Sequence, residues 1–325
     1  RAGVFVDGRY RLQVRQQVDA CFTPVDWPET GLADWLLAQD TKPRTLGFDP
    51  WLHTVSEIKS LRQKLADQIR LIPVAKNLID RIWPNQPPTS NQPITAHPLE
   101  YAGESASDKR ARCAAILEQA ADHSAFISLT DSIAWLLNIR GADIPRVPVA
   151  LCFAILHQRG AVELFIDPAA TASLSLGPQV TVQPPAALSA RLSQLTGTVR
   201  IDPASCPDAV ATLLHAAGCD LRHDKDPCVL PKACKNPVEI AGTKAAHLRD
   251  AGAMCEFLAW LDAQPANSLT EIDVVRALEG FRQATNALKD ISFDTICGAG
   301  PHGAIIHYRV TEETNRAIKQ GDLLL

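Results

Sequence analysis

The chain has 325 residues, 46% of them hydrophobic, with 32 Lys+Arg against 36 Asp+Glu and a formal net charge of −4. That is enough apolar material for one large core or two to three smaller ones, and the weak negative balance excludes a strongly basic nucleic-acid binder. No apolar run approaches the roughly 20 residues of a membrane span, no N-terminal signal pattern is present, and 17 Gly with 23 Pro exclude a collagen-like or low-complexity chain.

The first stretch alternates strand and helix. Val4–Val6 reads as a short strand ended by the Asp7-Gly8 turn pair, and residues 10–18 have helix-forming composition. Residues 45–49 read as a second strand stopped by Pro50. Ile58, Leu61, Leu65 and Ile69 mark a helix over 55–69, and residues 71–74 form a third, Pro-interrupted strand. This order predicts a largely parallel sheet with helices on its faces. Residues 84–98 hold five prolines among Asn, Gln, Ser and Thr, a composition that cannot form a helix and buries little, so the best domain boundary falls here.

A second alternating unit follows. It predicts a helix over 107–123, a buried strand over 125–129, and a short helix over 132–137 capped by Asp131. Residues 147–156 and 161–166 flank a hairpin turn in which Gly160 supplies the positive φ. Strands are expected at 180–182 and 199–202 and a helix at 210–217. The last third changes character. Asn236, Pro237 and Glu239 make a helix start, and Thr270 with Asp273 makes another. Residues 293–297 and 304–308 look like antiparallel strands joined by the Gly-rich connection 298–303. The terminal Leu323-Leu324-Leu325 would sit mid-strand in a core, so the strand is expected to continue past the end of this sequence.

Local chemistry is sparse. The nine cysteines show no two-residue metal or redox spacing and sit mostly among apolar neighbours, as expected of free thiols in a reducing cytoplasm. The 298–303 loop matches neither a P-loop nor a dinucleotide fingerprint, and there is no His-Glu-x-x-His and no Gly-x-Ser-x-Gly. His307 follows a flexible Gly-rich turn, where an imidazole can donate or accept a hydrogen bond near neutral pH; a satisfied core histidine is the competing reading. His247 and His302 have weaker claims.

Five stretches in order carry a resemblance. They are Asp7-Gly8-Arg9-Tyr10, Asn77-Leu78-Ile79-Asp80 with Trp83, Ile133–Gly141 with Asp143, Lys235-Asn236-Pro237-Val238-Glu239, and Phe293–Ile296 with Gly300–Tyr308 and Thr314-Asn315-Arg316. Together they resemble the large three-domain form of the Xaa-Pro aminopeptidases. The resemblance implies two creatinase-like α/β domains followed by the incomplete start of an α+β pita-bread peptidase domain. The implied bounds are a first domain at 1–83 with its opening missing, a linker at 84–98, a second domain at 99–234 and the peptidase domain from 235 to 325. It implies release of the N-terminal residue from peptides with proline second. It also implies two divalent metal ions, manganese or else zinc, a cytoplasmic homodimer, and peptide rather than nucleic-acid or membrane partners. The two Asp, one His and two Glu that hold the metals in this family match no residue present and would lie beyond Leu325, so the 325-residue chain alone is expected to be inactive. By carry-over His307 is the substrate-contacting histidine and not a metal ligand, while His302 stands where the family has Asn. The rival implication is a non-catalytic pita-bread relative that binds peptides or proteins.

Overall fold

A computed structural model describes residues 2–39, 44–90 and 92–325. The chain packs as two units, one drawn from Arg1–Gln39 with Thr243–Leu325 and one from Asp40–Gly242. In the first unit β1 (Ala2–Val6) and β2 (Phe22–Asp26) pair in parallel through five residues, with α1 (Arg11–Gln17) as the crossover and α2 (Leu32–Leu37) following. Neither β2 nor α2 is visible as a pattern in the sequence.

The second unit opens with β3 (Thr45–Phe48) and β4 (Arg70–Pro73), also parallel, joined by α3 (Val55–Leu65). A capping box starts α3: Glu57 N–H donates to Thr54 Oγ1 at 3.2 Å and Thr54 N–H to Glu57 Oε2 at 2.8 Å. Ala66, with φ +44°, ends it four residues earlier than the apolar spacing suggests. The strand–helix alternation therefore yields two separate two-stranded parallel sheets, β1–β2 and β3–β4, rather than one. Pro24 in β2 and Pro73 in β4 supply a physical reason, since a strand lacking an N–H is suited to a sheet edge.

After α4 (Leu78–Ile82) comes the Pro-rich segment, in which Asn91 lies outside the described residues. Its composition hides a buried anchor: Ile94 is 1% exposed and donates its N–H to Ala170 O at 2.9 Å. Next to it β5 (Thr95–Ala96) is one strand of a small antiparallel pair. Then come α5 (Leu99–Ala102), α6 (Ala106–Gln119), β6 (Ser124–Ile127), α7 (Thr130–Leu137) and β7 (Ile139–Arg140), the partner of β5. The hairpin is built from β8 (Phe153–His157) and β9 (Val162–Phe165), with Gly160 at φ +82° as expected. The remaining elements of this unit are β10 (Val180–Gln183), α8 (Leu188–Leu192), β11 (Thr198–Ile201), α9 (Asp208–Ala216), β12 (Asp220–His223) and α10 (Val229–Ala233).

One six-stranded sheet, in the order β10-β9-β8-β6-β11-β12, organises this unit. Only β8 runs against its neighbours. Alternating side chains feed two cores, because successive strand residues point to opposite faces. Ile127, Leu156 and Leu164 join Leu117, Ile133 and Leu136 on one face; Phe126, Ile155 and Phe165 join Leu192, Val199 and Leu214 on the other. Asp131 does not cap α7, whose first helical residue is Thr130; it sits inside the first turn and pairs with Lys232.

The long helix α11 (Pro237–Asp262) starts as the sequence predicts, with Asn236 Oδ1 accepting from the N–H groups of Val238 and Glu239, both at 3.0 Å. In the first unit, α12 (Glu271–Ala284) packs Val274 and Leu278 on Phe257 and Cys297. Residues 293–297 and 304–308, expected as strands, are not strands. Gly300–Ala304 is a 3₁₀ turn, and Ala299 instead forms a single bridge with Leu324. A strand exists only against a partner that takes its N–H and C=O groups, and among the described residues no ladder lies beside these segments.

Candidate functional site

A capping box starts α12. Thr270 N–H donates to Asp273 Oδ2 at 2.9 Å and Asp273 N–H to Thr270 Oγ1 at 3.3 Å. This fixes Glu271 at the first helical position, with its side chain turned inward and 0% exposed. Its own N–H donates to Arg316 O at 3.1 Å. Four groups converge on the carboxylate. Ala299 N–H reaches Oε1 at 2.7 Å, His302 Nδ1 lies 2.9 Å from Oε1, Tyr308 Oη is 3.2 Å from Oε2, and Arg316 N–H is 3.4 Å from Oε2. A ring N–H at His302 Nδ1 can donate to this carboxylate. The helix N-terminus favours a negative charge at this position.

Glu271 thereby holds both ends of the Gly-rich connection. Gly300, at φ +55°, donates its N–H to Leu323 O at 2.8 Å, and a Cβ there would run into the Arg316 guanidinium. Arg316 pairs with Asp322 at 3.2 Å and donates to Ala299 O. The His302 and Tyr308 rings lie 4.6 Å apart. Burial pushes the Tyr308 hydroxyl upward from its ordinary pKa, and burial raises the nearby Cys297 thiol to about 11. Both groups are therefore neutral at physiological pH.

His307 lies between these anchored residues and solvent. It is exposed, and its backbone takes the left-handed conformation, φ +59°. Its imidazole stacks on the ring of Tyr10, with centroids 5.8 Å apart and planes inclined by 22°. Tyr10 comes from the turn before α1, where Tyr10 N–H donates to Asp7 O at 3.0 Å. In that turn the Arg9 guanidinium grips the Asp7 carboxylate, Nη2 donating to Oδ2 at 2.6 Å and Nε to Oδ1 at 3.1 Å, and Arg9 N–H donates to Oδ1 at 2.9 Å. The Arg9 bond holds the Asp7 carboxyl at about 2, with a minor contribution from His307.

Of the residues singled out in the sequence, His307 sits on an exposed loop, available to a bound molecule. His302 has a structural duty, binding Glu271, and an Asn in its place could also donate to that carboxylate. His247 lies exposed on α11 with Nδ1 2.9 Å from Thr243 O. Sequence reasoning missed Glu271, and it read Tyr10 only as part of the Asp7-Gly8-Arg9-Tyr10 motif, not as a neighbour of His307. The signal for Glu271 was a glutamate between two cap residues, which reads as ordinary helix-start chemistry. Among the described residues no group of three or more His, Cys, Asp or Glu is placed to hold a metal ion.

Comparison with known proteins gives this arrangement a lineage. Profiles of the Creatinase/Prolidase N-terminal domain match residues 1–82 and 85–239, and that of Metallopeptidase family M24 matches residues 241–325. Along its length the chain is thus similar to Creatinase/Prolidase N-terminal domains followed by part of a Metallopeptidase family M24 domain. Its fold is that of creatinase-like N-terminal domains followed by part of a pita-bread domain. A Probable Xaa-Pro aminopeptidase P of Aspergillus flavus is 32% identical over 332 residues, covering 95% of this chain and 50% of that protein. Aminopeptidase P1 of Lotus japonicus is 29% identical, covering 96% of this chain and 58% of that protein. The crystal structure of X-prolyl aminopeptidase from Caenorhabditis elegans, described as a cytosolic enzyme with a di-nuclear active site, superposes with a TM-score of 0.88 at 25% identity. It covers 99% of this chain and 55% of the other. The chain thus spans about half the length of the curated relatives it matches. Among the described residues no helix is long and apolar enough to cross a membrane.

Proposed function

We propose that this chain serves an Xaa-Pro aminopeptidase, a hydrolase that releases the N-terminal residue from peptides whose second residue is proline. The observation that supports the reading most directly is the superposition over 99% of the chain on an X-prolyl aminopeptidase, in agreement with three family profiles in linear order. In this reading residues 1–83 and 99–234 are the creatinase-like domains flanking a Pro-rich linker at 84–98, and residues 235–325 belong to the peptidase domain. The active protein works with two divalent ions, manganese in first place, as a homodimer in the cytoplasm.

The role of this chain's own residues centres on His307. An exposed imidazole on an anchored loop can hydrogen-bond a peptide beside the scissile bond, and Glu271 supports the loop from within. The test uses the full-length open reading frame and a peptide such as Arg-Pro-Pro. His307→Ala is expected to lower kcat by roughly 10²-fold, the scale of one lost transition-state donor, with metal content by elemental analysis unchanged. Near-normal turnover in that variant would remove His307 from the site. An inactive full-length protein that still binds proline-containing peptides would favour a binding module over an enzyme. The 325-residue chain alone is expected to retain no stoichiometric Mn²⁺ or Zn²⁺, and stoichiometric metal by elemental analysis would overturn the placement of the ligands outside it.

A further inference from the structure

The substrate-contact reading of His307 leaves two features unexplained. A non-glycine residue in the left-handed region is sterically disfavoured, so the surrounding structure must hold His307 there. Glu271 holds the next residue, Tyr308, through its hydroxyl, but does not touch the imidazole itself. An exposed imidazole anchored only through its backbone would turn freely about χ1 and χ2. Among the described residues the ring packed on it is that of Tyr10, from the opposite end of the sequence, nearly parallel to the imidazole with centroids 5.8 Å apart.

Tyr10 is itself well held. Its N–H is bonded to Asp7 O, and its carbonyl accepts the N–H of Val14 at 2.9 Å as α1 begins. The Arg9 guanidinium, fixed by Asp7, lies 5.9 Å from the centre of the Tyr10 ring. The guanidinium and the imidazole thus both approach the Tyr10 ring, within one packing unit. Tyr10 is 37% exposed, although a large ring ordinarily seeks burial. Its side chain makes no cap hydrogen bond to α1 either. The helix start therefore gives no reason for an aromatic residue at this position; the stack on His307 does.

We propose that Tyr10 is a positioning residue for His307, fixing the plane of the imidazole by stacking so that its edge nitrogen, rather than its face, meets the peptide. This rests on the reading of His307 as the substrate contact. The Asp7-Gly8-Arg9-Tyr10 turn then has a task in the site: the Asp7–Arg9 pair buttresses the phenol, and the phenol orients the imidazole.

Two measurements test the proposal and separate its failure from failure of the underlying reading. In the 325-residue chain, the His307 ring protons, assigned by difference with His307→Gln, should show an upfield ring-current shift. That shift should vanish in Tyr10→Ala and persist in Tyr10→Phe. In the full-length protein, Tyr10→Ala should lower kcat for an Xaa-Pro peptide by about tenfold, with KM within about twofold, while Tyr10→Phe stays near the parent. If Tyr10→Ala does not fold, Tyr10→Leu, which keeps bulk without a π face, replaces it. No ring-current shift in the parent chain would overturn the contact. Parent-like turnover in Tyr10→Ala alongside an impaired His307→Ala would overturn the positioning role. A Tyr10→Phe variant as poor as Tyr10→Ala would do so too, assigning the effect to the hydroxyl. A fully active His307→Ala would instead sink the substrate-contact reading and the positioning role with it, leaving the stack, if seen, as packing.

Discussion

The six-stranded unit and the region around α12 are held together by opposite means. In the former, strands buried on both faces divide their side chains between two apolar cores, and burial of Ile127, Ile155, Leu156 and Leu164 carries the fold. In the latter the apolar cluster of fully buried residues is small, with Phe257, Val274, Leu278 and Cys297 at its centre. The chain from 297 to 316 is organised instead by one carboxylate. The contrast shows how a loop can be made exposed yet specific: a buried acceptor fixes backbone positions that no apolar contact could distinguish.

The sharpest way to break this contrast is to remove that acceptor. Glu271→Ala leaves the donors on Ala299, His302, Tyr308 and Arg316 to find other partners, at about 1–3 kcal/mol for each that stays buried and unpaired. The expected loss is on the order of 5 kcal/mol. Hydrogen exchange should show protection disappearing over residues 297–316 while the amides of β6, β8 and β11 keep theirs. Uniform loss across both regions would mean that the network does not act locally.

The converse experiment is a cavity in the sheet. Ile155 is 0% exposed on β8, and Ile155→Ala should cost about 3 kcal/mol by denaturant unfolding. Its effect should appear in the exchange of the six-stranded unit, with residues 297–316 protected as before.

Much of the first region could be read in the sequence because its determinants are local. The Asn236-x-x-Glu239 helix start and the Gly160 turn each specify an element within a few residues. What escaped has long-range causes. Ile94 is buried in a core assembled from residues far along the sequence, where Ala170 O accepts its N–H, and Asp131 finds Lys232 rather than a helix end. Residues 293–297 and 304–308 have strand composition, but composition does not supply a ladder partner. The His307 motif was legible as a pattern. Glu271 was not, because its burial depends on residues 28 to 45 positions further along.

A smaller effect sharpens the comparison from the pH axis. His97, in the sheet-bearing unit, has its pKa lowered to about 4 from 6.5, chiefly by burial and then by the charges of Arg140 and Lys109. Below about 6.5 the unfolded chain binds a proton that the folded chain refuses, so stability falls as pH drops from about 6.5 towards about 4 and is full above that window. A His97→Gln variant should show a flatter stability profile over that interval, measured as unfolding midpoint against pH. An unchanged profile would assign the acid sensitivity to other groups.

The nine cysteines have a practical consequence. All are free; six are buried, and burial raises Cys152 and Cys206 to about 12, so at neutral pH almost no thiolate is available there. Cys21, Cys234 and Cys255 are the exposed ones. A maleimide dye should therefore attach at three places without any engineered site: beside β2, at the end of α10 and on α11. Both packing units thus carry an intrinsic fluorescent handle, and the buried thiols become a clock for unfolding, each turning reactive only when the region around it opens.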